Sequence, residues 1–329
     1  MSQPRFHICG IGNALMDVIA PVDHAFIERH GCERGSMTLI DTPRAEQLYG
    51  AMTGRRESSG GSGANTAAVA AALGARVAYL GRVADDVLGQ RYREDFAAAG
   101  VAFPTAPLTG GLPTGRSLIL VTPDGQRTMN TYLGASTTFS PQQIDADVIA
   151  ASAVTYMEGY LFDPPAAQQA FYAAAGIAHA HGRQVALTLS DAFCVGRHRA
   201  AFRDLVAGHV DILFANADEL TGLYETTDLD AAIAHARADC ALVAVTQGAH
   251  GSVVVRGSET AGIAAVPATV VDTTGAGDAY AAGFLAGLTA GRSLAACGHL
   301  GSVAAGEVIS HYGARPERDL GREMSLLAA

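Results

Sequence analysis

The chain has 329 residues, of which 49% are hydrophobic and 16% are charged, and its formal net charge is −10. This composition is typical of a globular protein with a large core and excludes a disordered chain. An acidic chain without a basic stripe argues against a general nucleic-acid binder or a membrane-surface binder. All 22 basic residues are arginines, so a Walker A loop and a lysine Schiff base, which both require lysine, are excluded.

The five cysteines are scattered along the chain and form no C-x-x-C pair. An odd number of scattered cysteines is typical of reduced thiols in a cytoplasmic protein and predicts no zinc framework. The N-terminal segment 6–22 is apolar, but Asn13 and Asp17 interrupt it and no basic segment precedes it, so we do not interpret it as a signal peptide. No apolar run reaches the roughly 20 residues of a membrane helix. We therefore expect a cytoplasmic protein without a membrane span.

The N-terminal segment begins as a buried strand and ends in glycines and polar residues. Gly10 and Gly12 begin a dinucleotide-binding pattern, but its third glycine is missing because residue 15 is leucine. Asn13 and Asp17 follow the strand at its carboxyl end, where open α/β sheets bind ligands. They are candidate substrate-binding residues, although a turn asparagine and a loop aspartate would fit the same pattern.

Residues 58–65 are rich in serine and glycine and run directly into a helix of small apolar residues. A flexible linker would have this composition, but a linker does not usually continue into a buried alanine helix. We interpret the segment as a place where the backbone comes close to a ligand. Its candidate substrate-binding residues are Gly60, Gly61, Ser62 and Asn65.

Two adjacent strands at 117–122 and 127–133 are separated only by a turn that contains Asp124 and Gly125. This pattern predicts a β-hairpin, and no helix intervenes as it does elsewhere in the chain. We expect a small separate sheet built from segments at about 15–59 and 104–136. Such a sheet would act as a lid that excludes water from a bound ligand.

Beyond residue 140, segments with strand patterns alternate regularly with segments of helical period. Strands that are separated by helices pair in parallel. The sequence therefore predicts an α/β protein with a doubly wound, mostly parallel sheet, helices on both of its faces and the small lid sheet. We expect residues 1–329 to form one such domain.

Two polar patterns follow predicted strands in the second half of the chain. Asn216 and Glu219 have the spacing of a helix capping box, but oxygen ligands at a strand end would also suit Mg²⁺. Thr246, Gly248 and Gly251 follow the next strand in a Thr-x-Gly-x-x-Gly pattern. This pattern predicts either a tight β-turn or a loop against which a polyphosphate lies.

The stretch from Asp272 to Asp278 lies between two predicted elements. Residues 270–271 are predicted to end a strand, and residues 279–288 have the spacing of a helix. Glycines at this helix start leave its free amides and positive dipole end open to an anion. Asp278 would oppose a bound phosphate unless it takes a proton from an attacking hydroxyl, while a plain helix cap is the alternative interpretation.

Taken together and in this order, the motifs resemble the ribokinase, or PfkB, family of carbohydrate and nucleoside kinases over essentially the whole chain. Residues 60–65, followed by the Gly-x-x-x-Asp-Asp-x-x-Gly stretch at 81–89, resemble the first family signature. Residues 272–278 resemble the second signature, which is highly specific. The resemblance implies a central sheet with a small β lid, and ATP-dependent phosphorylation of a hydroxyl group.

The resemblance also implies roles for individual residues. Asp278 would be the catalytic base, and the amides around Gly275, Ala276 and Gly277 would form the anion hole. Asn216 and Glu219 would organise Mg²⁺ largely through water, and ATP would contact Asn216, Thr246, Gly248 and Gly251. The resemblance also allows for a potassium-like monovalent cation bound near Asp272.

For the acceptor, residues 13–17 resemble the entry motif of the adenosine kinases within this family. There, an aspartate matching Asp17 grips both ribose hydroxyls, with support from an asparagine matching Asn13, and a carboxylate can accept two such hydrogen bonds. Tyr160 is a candidate for stacking on a purine, with a core role as the alternative.

The acceptor that we expect from this resemblance is a nucleoside, adenosine first, phosphorylated on its 5′-hydroxyl. The alternatives are a sugar kinase acting on ribose, fructose or 2-keto-3-deoxygluconate, and an inosine or guanosine kinase. A catalytically silent nucleoside-binding protein is a third. The sequence leaves open whether the chain acts as a monomer or a homodimer.

Overall fold

The computed structural model describes residues 3–322 and contains two β-sheets. In chain order, the strands are β1 (Phe6–Ile11), β2 (Leu15–Pro21), β3 (Met37–Leu39), β4 (Arg56–Gly60), β5 (Val77–Leu80), β6 (Val101–Ala102), β7 (Gly115–Val121), β8 (Arg127–Tyr132), β9 (Ser152–Glu158), β10 (Gln184–Thr188), β11 (Ile212–Asn216), β12 (Leu242–Thr246), β13 (Ser252–Arg256) and β14 (Glu259–Ile263).

Helices connect most of these strands. In chain order, they are α1 (His24–Arg29), α2 (Thr42–Ala51), α3 (Ser62–Ala72), α4 (Val87–Ala98), α5 (Ala146–Ala150), α6 (Pro165–Ala180), α7 (Ala192–His209), α8 (Ala217–Tyr224), α9 (Leu229–Asp239), α10 (Ala276–Thr289) and α11 (Leu294–Val308). Short 3₁₀ turns lie at Gly134–Thr138, Pro141–Gln143, Gly159–Phe162 and Gly248–His250.

The larger sheet has nine strands in the order β14-β13-β12-β11-β10-β9-β1-β5-β6. The seven neighbouring strands β12-β11-β10-β9-β1-β5-β6 pair in parallel. At one edge of this sheet, β13 and β14 add antiparallel pairs. Consecutive residues of a strand point to opposite faces. Accordingly, Ile8 belongs to a buried cluster with Phe284, and Cys9 belongs to a second cluster with Phe171. Helices therefore cover both faces, which confirms the predicted doubly wound sheet.

The smaller sheet has five strands in the order β3-β8-β7-β2-β4. β7 and β8 form the predicted antiparallel hairpin, whereas β2 pairs with β7 in parallel. The strands lie within the two predicted segments of the chain. The single-domain boundaries and the action of this sheet as a lid stay predictions.

The strand end predicted at residues 270–271 is wrong. Val270 and Val271 belong to no strand, and their side chains are exposed. The amide of Val271 donates to the carbonyl of Ile309, just beyond α11, at 2.8 Å. The stretch is thus held by a helix end, and its β-branched residues do not pair with a strand. Within residues 3–322, no helix is long and apolar enough to cross a membrane.

Candidate active site

Gly275 forms the cap of helix α10 and has a positive φ of 79°. A Cβ atom at this position would lie 2.5 Å from the Cβ of Ala314, so both conformation and space require glycine. The cap supplies no side-chain acceptor to the first amides of the helix. The amide of Ala276 donates to the carbonyl of Thr273 at 3.2 Å, so it is the amides of Gly277 and Asp278, with the positive end of the helix dipole, that remain suited to an anion.

Asp278 lies in the first turn of α10 and is partly buried. Its carboxylate accepts hydrogen bonds from Ser62 Oγ at 2.6 Å and from Asn65 Nδ2 at 3.4 Å. Withdrawal from solvent raises the pKa of Asp278 to about 7, whereas the bonds from Ser62 and Asn65 lower it. A pKa near the operating pH suits a general base. The two glycine-rich helix starts that the sequence singles out are thus in direct contact.

Asp17 lies on β2, opposite Ser58 of strand β4. A Cβ atom on Gly60 would lie 2.3 Å from the carboxyl carbon of Asp17, so only glycine fits there. Burial raises the pKa of Asp17 to about 6, and the charges of Arg315 and Arg127 lower it. The negative charge of Asp17 in turn raises the pKa of Asp278. The two candidate carboxylates therefore belong to one electrostatic site.

Glu158, to which the sequence analysis gave no role, ends strand β9 and is buried. It accepts hydrogen bonds from the side chain of Asn13 at 2.9 Å, the amide of Asn13 at 3.2 Å and the amide of Gly63 at 2.7 Å. Burial raises the pKa of Glu158 to about 7, and the charge of Asp278 also raises it. Within the described contacts, Asn13 thus binds Glu158. The sequence had instead predicted that Asn13 supports Asp17.

Gly61 is the second glycine of the serine- and glycine-rich segment 58–65, and the structure shows why glycine is needed there. Its φ is +98°, and a Cβ atom there would lie 2.3 Å from the carbonyl oxygen of Asn13. The close approach is therefore to the turn between β1 and β2. It fixes the start of α3, from which Ser62 and Asn65 reach Asp278.

Tyr160 lies in the 3₁₀ turn that follows β9. Its amide donates to the hydroxyl of Ser190 at 3.1 Å, and its own hydroxyl donates to the carbonyl of Ser190 at 3.3 Å. Burial raises the pKa of Tyr160 well above its ordinary value, and the charge of Asp191 also raises it. The hydroxyl is therefore neutral and tied to the protein, and stacking of the ring on a ligand stays a prediction.

Asn216 and Glu219 form the capping box that their spacing indicates. The side chain of Asn216 accepts from the amide of Glu219 at 2.8 Å, and its Nδ2 donates to Glu219 Oε1 at 2.7 Å. Glu219 Oε2 accepts from the amide of Asn216 at 3.0 Å. Burial raises the pKa of Glu219 to about 7. An amide and a carboxylate are oxygen donors of the kind that Mg²⁺ accepts, and with these bonds in place a water-mediated role fits best.

Thr246 is the last residue of β12 and stands opposite Asn216 in the sheet. The predicted alternative of a tight turn is observed after it, because the amide of Gln247 donates to the carbonyl of Gly251 at 2.8 Å. Gly248 and Gly251 both have positive φ, at 55° and 86°. Asn216 and Thr246, two of the residues predicted to contact ATP, are therefore neighbours at the carboxyl ends of β11 and β12, and the loop with Gly248 and Gly251 follows directly.

Arg127, at the start of β8 in the small sheet, was also missed. Its Nη2 lies 2.7 Å from Asp272 Oδ2, and both side chains are almost fully buried. Asp272 also accepts from the hydroxyl of Thr274 at 2.8 Å. The small sheet thus brings the positive charge of Arg127 to Asp272 in the glycine-rich loop. Asp272 is also the residue near which the family resemblance suggests a potassium-like cation.

Comparison with known proteins places this geometry in a family. The model described as pfkB family carbohydrate kinase matches residues 8–319. An adenosine kinase of Saccharomyces cerevisiae is 28% identical over 310 residues, which cover 86% of this chain and 89% of the yeast protein.

Solved structures resemble the chain over nearly its full length. An adenosine kinase from Sinorhizobium meliloti superimposes with a TM-score of 0.90 at 53% identity, covering 99% of this chain and 100% of that one. A probable sugar kinase from Rhizobium etli CFN 42 has a TM-score of 0.91 at 47% identity and covers 99% of both chains. The chain therefore belongs to the pfkB family of carbohydrate kinases and is a phosphotransferase that acts on a hydroxyl group.

Proposed function

We propose that this kinase transfers the terminal phosphoryl group of ATP to the 5′-hydroxyl of a nucleoside, and that adenosine is its preferred acceptor. The observation that carries the proposal is the carboxylate of Asp17, packed against the Cβ-free backbone of Gly60 in one electrostatic site with Asp278. The names of two relatives, the adenosine kinases of Saccharomyces cerevisiae and Sinorhizobium meliloti, support the same acceptor.

In this proposal, Asp278 removes the proton from the acceptor hydroxyl as that oxygen attacks phosphorus. Ser62 and Asn65 hold its carboxylate in position. The first amides of α10 and the dipole of that helix stabilise the negative charge that spreads over the transferred group. Phosphoryl transfer needs alignment and charge neutralisation more than covalent chemistry, so a helix start and arginines can serve where lysine is lacking.

The acceptor would be held by its sugar. The two oxygens of Asp17 would accept hydrogen bonds from two vicinal hydroxyls. Gly60 leaves the room that this carboxylate occupies, and Gly61 leaves room for the carbonyl of Asn13 beside it. Asn13 contributes through Glu158, which it binds. Tyr160 would present its ring to the base, since its hydroxyl is tied to Ser190.

The nucleotide would lie across the ends of β11 and β12. Thr246, Gly248 and Gly251 provide the surface for ATP, and Asn216 and Glu219 would hold Mg²⁺ largely through water. Mg²⁺, when bound, neutralises phosphate oxygens. A potassium-like cation remains the alternative to Arg127 for neutralising Asp272. Turnover in potassium, compared with turnover in a bulky organic cation, distinguishes these two.

We also propose a cytoplasmic location, because the five cysteines are all unpaired in the structure. A monomer and a homodimer both stay open as the working state. The measurement for this point is the molar mass in solution, by light scattering under reducing conditions.

A sugar kinase is the second candidate function. The structure from Rhizobium etli CFN 42 that resembles this chain at 47% identity is named a probable sugar kinase. A carboxylate such as Asp17 also binds the vicinal hydroxyls of a free sugar. Inosine and guanosine offer the same ribose and are further alternatives.

Turnover of ATP with Mg²⁺ against a panel of acceptors tests the proposal. The panel contains adenosine, inosine, guanosine, ribose, fructose and 2-keto-3-deoxygluconate. We expect kcat/KM to be highest for adenosine. Turnover with a free sugar alone would leave the role of Asp278 intact and overturn the nucleoside assignment. Binding of adenosine without turnover of any acceptor would favour a catalytically silent protein.

A further inference from the structure

The segment that follows helix α11 runs between the glycine-rich loop and the small sheet. The amide of Gly313 donates to Asp272 at 3.2 Å, and two residues later Arg315 reaches strand β4. Glu307 anchors the far side of the segment, since it accepts from the amides at 317 and 318 at 3.0 Å and 3.1 Å. The segment is therefore fixed at both ends, and Arg315 lies between these two anchors.

Ser59 is the strand residue that Arg315 holds. Nη2 of Arg315 donates to the carbonyl of Ser59 at 2.6 Å and to its hydroxyl at 3.1 Å. The amide of Ser59 donates to Asp95 on α4 at 2.8 Å. The next residue is Gly60, whose backbone lies against the carboxyl group of Asp17. Arg315 and Asp95 thus fix, from two sides, the piece of backbone on which Asp17 rests.

The guanidinium of Arg315 also has an N–H group that makes no hydrogen bond within the described residues. It lies 5.5 Å from the centre of the Phe96 ring, and its buried Nε donates to no atom of residues 3–322. Burial lowers the pKa of Arg315, but an arginine remains charged throughout the ordinary pH range. A charge that is withdrawn from water acts more strongly on its neighbours than an exposed one.

The charged and titratable groups that face Asp17 come from four parts of the chain. They are Arg315 of the C-terminal segment, Arg127 of β8, Asp278 of α10 and Tyr92 of α4. Burial raises the pKa of Asp17, and the charge of Arg315 is the larger of the two opposing influences, ahead of Arg127. No hydrogen bond is needed for this effect, since it acts through the field of the guanidinium.

We propose that Arg315 is a positioning residue of the acceptor site that keeps Asp17 ionised and fixes the Ser59–Gly60 backbone beneath it. The proposal rests on the proposed function only in taking Asp17 as the carboxylate that binds the acceptor. A purely structural role, in which Arg315 merely ties Ser59 in place, is the competing explanation. The two explanations differ in whether the charge of residue 315, and not only its hydrogen bond to Ser59, acts on Asp17.

Variants at 315 and 95 separate charge from tethering. Arg315→Gln removes the charge and also the bond to Ser59, because the glutamine amide reaches only the position of Nε, whereas Arg315→Lys keeps the charge and loses the planar fork. Asp95→Asn weakens the other tether of Ser59 and removes no positive charge. Arg318→Met is the matched control, because Arg318 is an exposed arginine of the same segment.

The first measurement is an NMR titration of carboxyl-labelled aspartates, with the resonance of Asp17 assigned through Asp17→Asn. We expect Arg315→Gln to raise the titration midpoint of Asp17 by about one pH unit, in keeping with the loss of a close opposite charge. Arg315→Lys and Arg318→Met should stay near wild type, and Asp95→Asn should show no rise. An unchanged midpoint in Arg315→Gln, or an equal rise in Asp95→Asn, would overturn the proposal.

The second measurement is the acceptor KM as a function of pH, with adenosine. If the midpoint moves from about 6 to about 7, the ratio of variant to wild-type KM should be about threefold higher at pH 6.5 than at pH 8.5. Changes in kcat should be smaller, and Arg315→Lys should restore the wild-type profile. A pH-independent ratio would leave only the tethering role. Failure to phosphorylate adenosine would refute the proposed function alone, because the NMR titration needs no acceptor.

Discussion

Asp278 and Glu219 hold the same place in two helices, since each is the third residue after the cap. Burial raises the pKa of each to about 7. Glu219 turns back and binds the amide and side chain of its own cap, Asn216. Asp278 has a cap without a side chain, Gly275, and its carboxylate accepts hydrogen bonds from another helix, α3.

The difference lies in what happens to the free amides of each helix start. At α8, the capping box satisfies the amides of Asn216 and Glu219 locally, as it does in many helices without catalytic roles. At α10, the glycine cap leaves the first amides without a side-chain partner. The same residue position therefore serves stability in one helix and, in our proposal, catalysis in the other.

Replacing the acid at α10 should have the largest effect. Asp278→Asn keeps the shape of the side chain but cannot take a proton, so we expect kcat to fall by about 10²- to 10⁴-fold. Binding of ATP and acceptor, measured by calorimetry, should be largely retained. Glu219→Gln is the matched control and should lower kcat far less. Near-normal turnover of Asp278→Asn would remove this carboxylate from the mechanism.

Exchanging the caps should give the next largest effect. Gly275→Ala forces a side chain into a positive φ and against Ala314, so we expect a loss of about 1–3 kcal/mol in the free energy of unfolding and a clear fall in kcat. Asn216→Gly should lower the free energy of unfolding by at most about 1 kcal/mol. Chemical denaturation and steady-state kinetics on both variants provide the measurement. Equal effects at the two caps would contradict the proposed distinction.

Removing the partner of Asp278 should change the pH profile. The bond from Ser62 favours the charged form of Asp278, so Ser62→Ala should raise the pKa of Asp278 above about 7. A base must be deprotonated to act, so kcat should rise with pH through this pKa, and the rise should occur at higher pH in the variant. We expect a loss in kcat of up to about tenfold at pH 6.5, for a pKa rise of one unit, with recovery above pH 8.5. A loss that is equal at every pH would indicate a positional defect only.

Stability should depend on pH in a direction set by these buried acids. Their folded-state pKa values are raised above those of the unfolded chain, so the folded protein retains protons that the unfolded chain has released. The free energy of unfolding should therefore fall as pH rises from about 4 to about 7, and then level off. Asp278→Asn should flatten this fall and raise the melting temperature of the ligand-free protein at pH 8. A wild-type stability that rises over this range would contradict the assignment.

The smallest effect is expected at the capping box itself. Glutamine can close the same box, so at pH 4, where Glu219 is protonated in the folded protein, Glu219→Gln should change the free energy of unfolding by no more than about 0.5 kcal/mol. If Glu219 helps to hold Mg²⁺ through water, the Mg²⁺ concentration for half-maximal activity should rise a few-fold. Magnesium titrations of the wild type and the variant provide the test. Identical titrations would leave Glu219 with its capping role alone.

Most of the fold could be predicted because its signals are local. The β7–β8 hairpin follows from an Asp-Gly turn between two strand patterns, and the parallel sheet follows from the alternation with helices. The order of strands could not be predicted, since β1 pairs with β5 and β9 and nothing local specifies those partners. Val270 and Val271 were assigned wrongly because a backbone bond to Ile309, remote in sequence, holds them outside any sheet.

The site was predictable where a motif carried it and not where a lone residue did. Ser62 and Asp278 belong to two glycine-rich motifs, and the structure brings them together across 216 positions of sequence. Glu158, Arg127 and Arg315 stand outside any motif, and their partners are distant; Arg315 and Ser59, for example, are 256 positions apart. In a sequence, an isolated acidic residue or arginine cannot be distinguished from the many that lie on the protein surface. Its role can be recognised only when the structure shows its contacts.

The parallel pairing of β2 with β7 has a consequence for how the chain folds. This pairing joins Asp17 to Ser117, so forming it closes a loop of about a hundred residues, an entropic cost that non-local strand pairs must meet before they gain contacts. The β7–β8 hairpin can form early, because its strands are neighbours. We therefore expect Asp17, which we propose to bind the acceptor, to reach its place late, because during synthesis the β2–β7 pairing cannot form before β7 has left the ribosome. Recovery of acceptor binding should be among the last events of refolding.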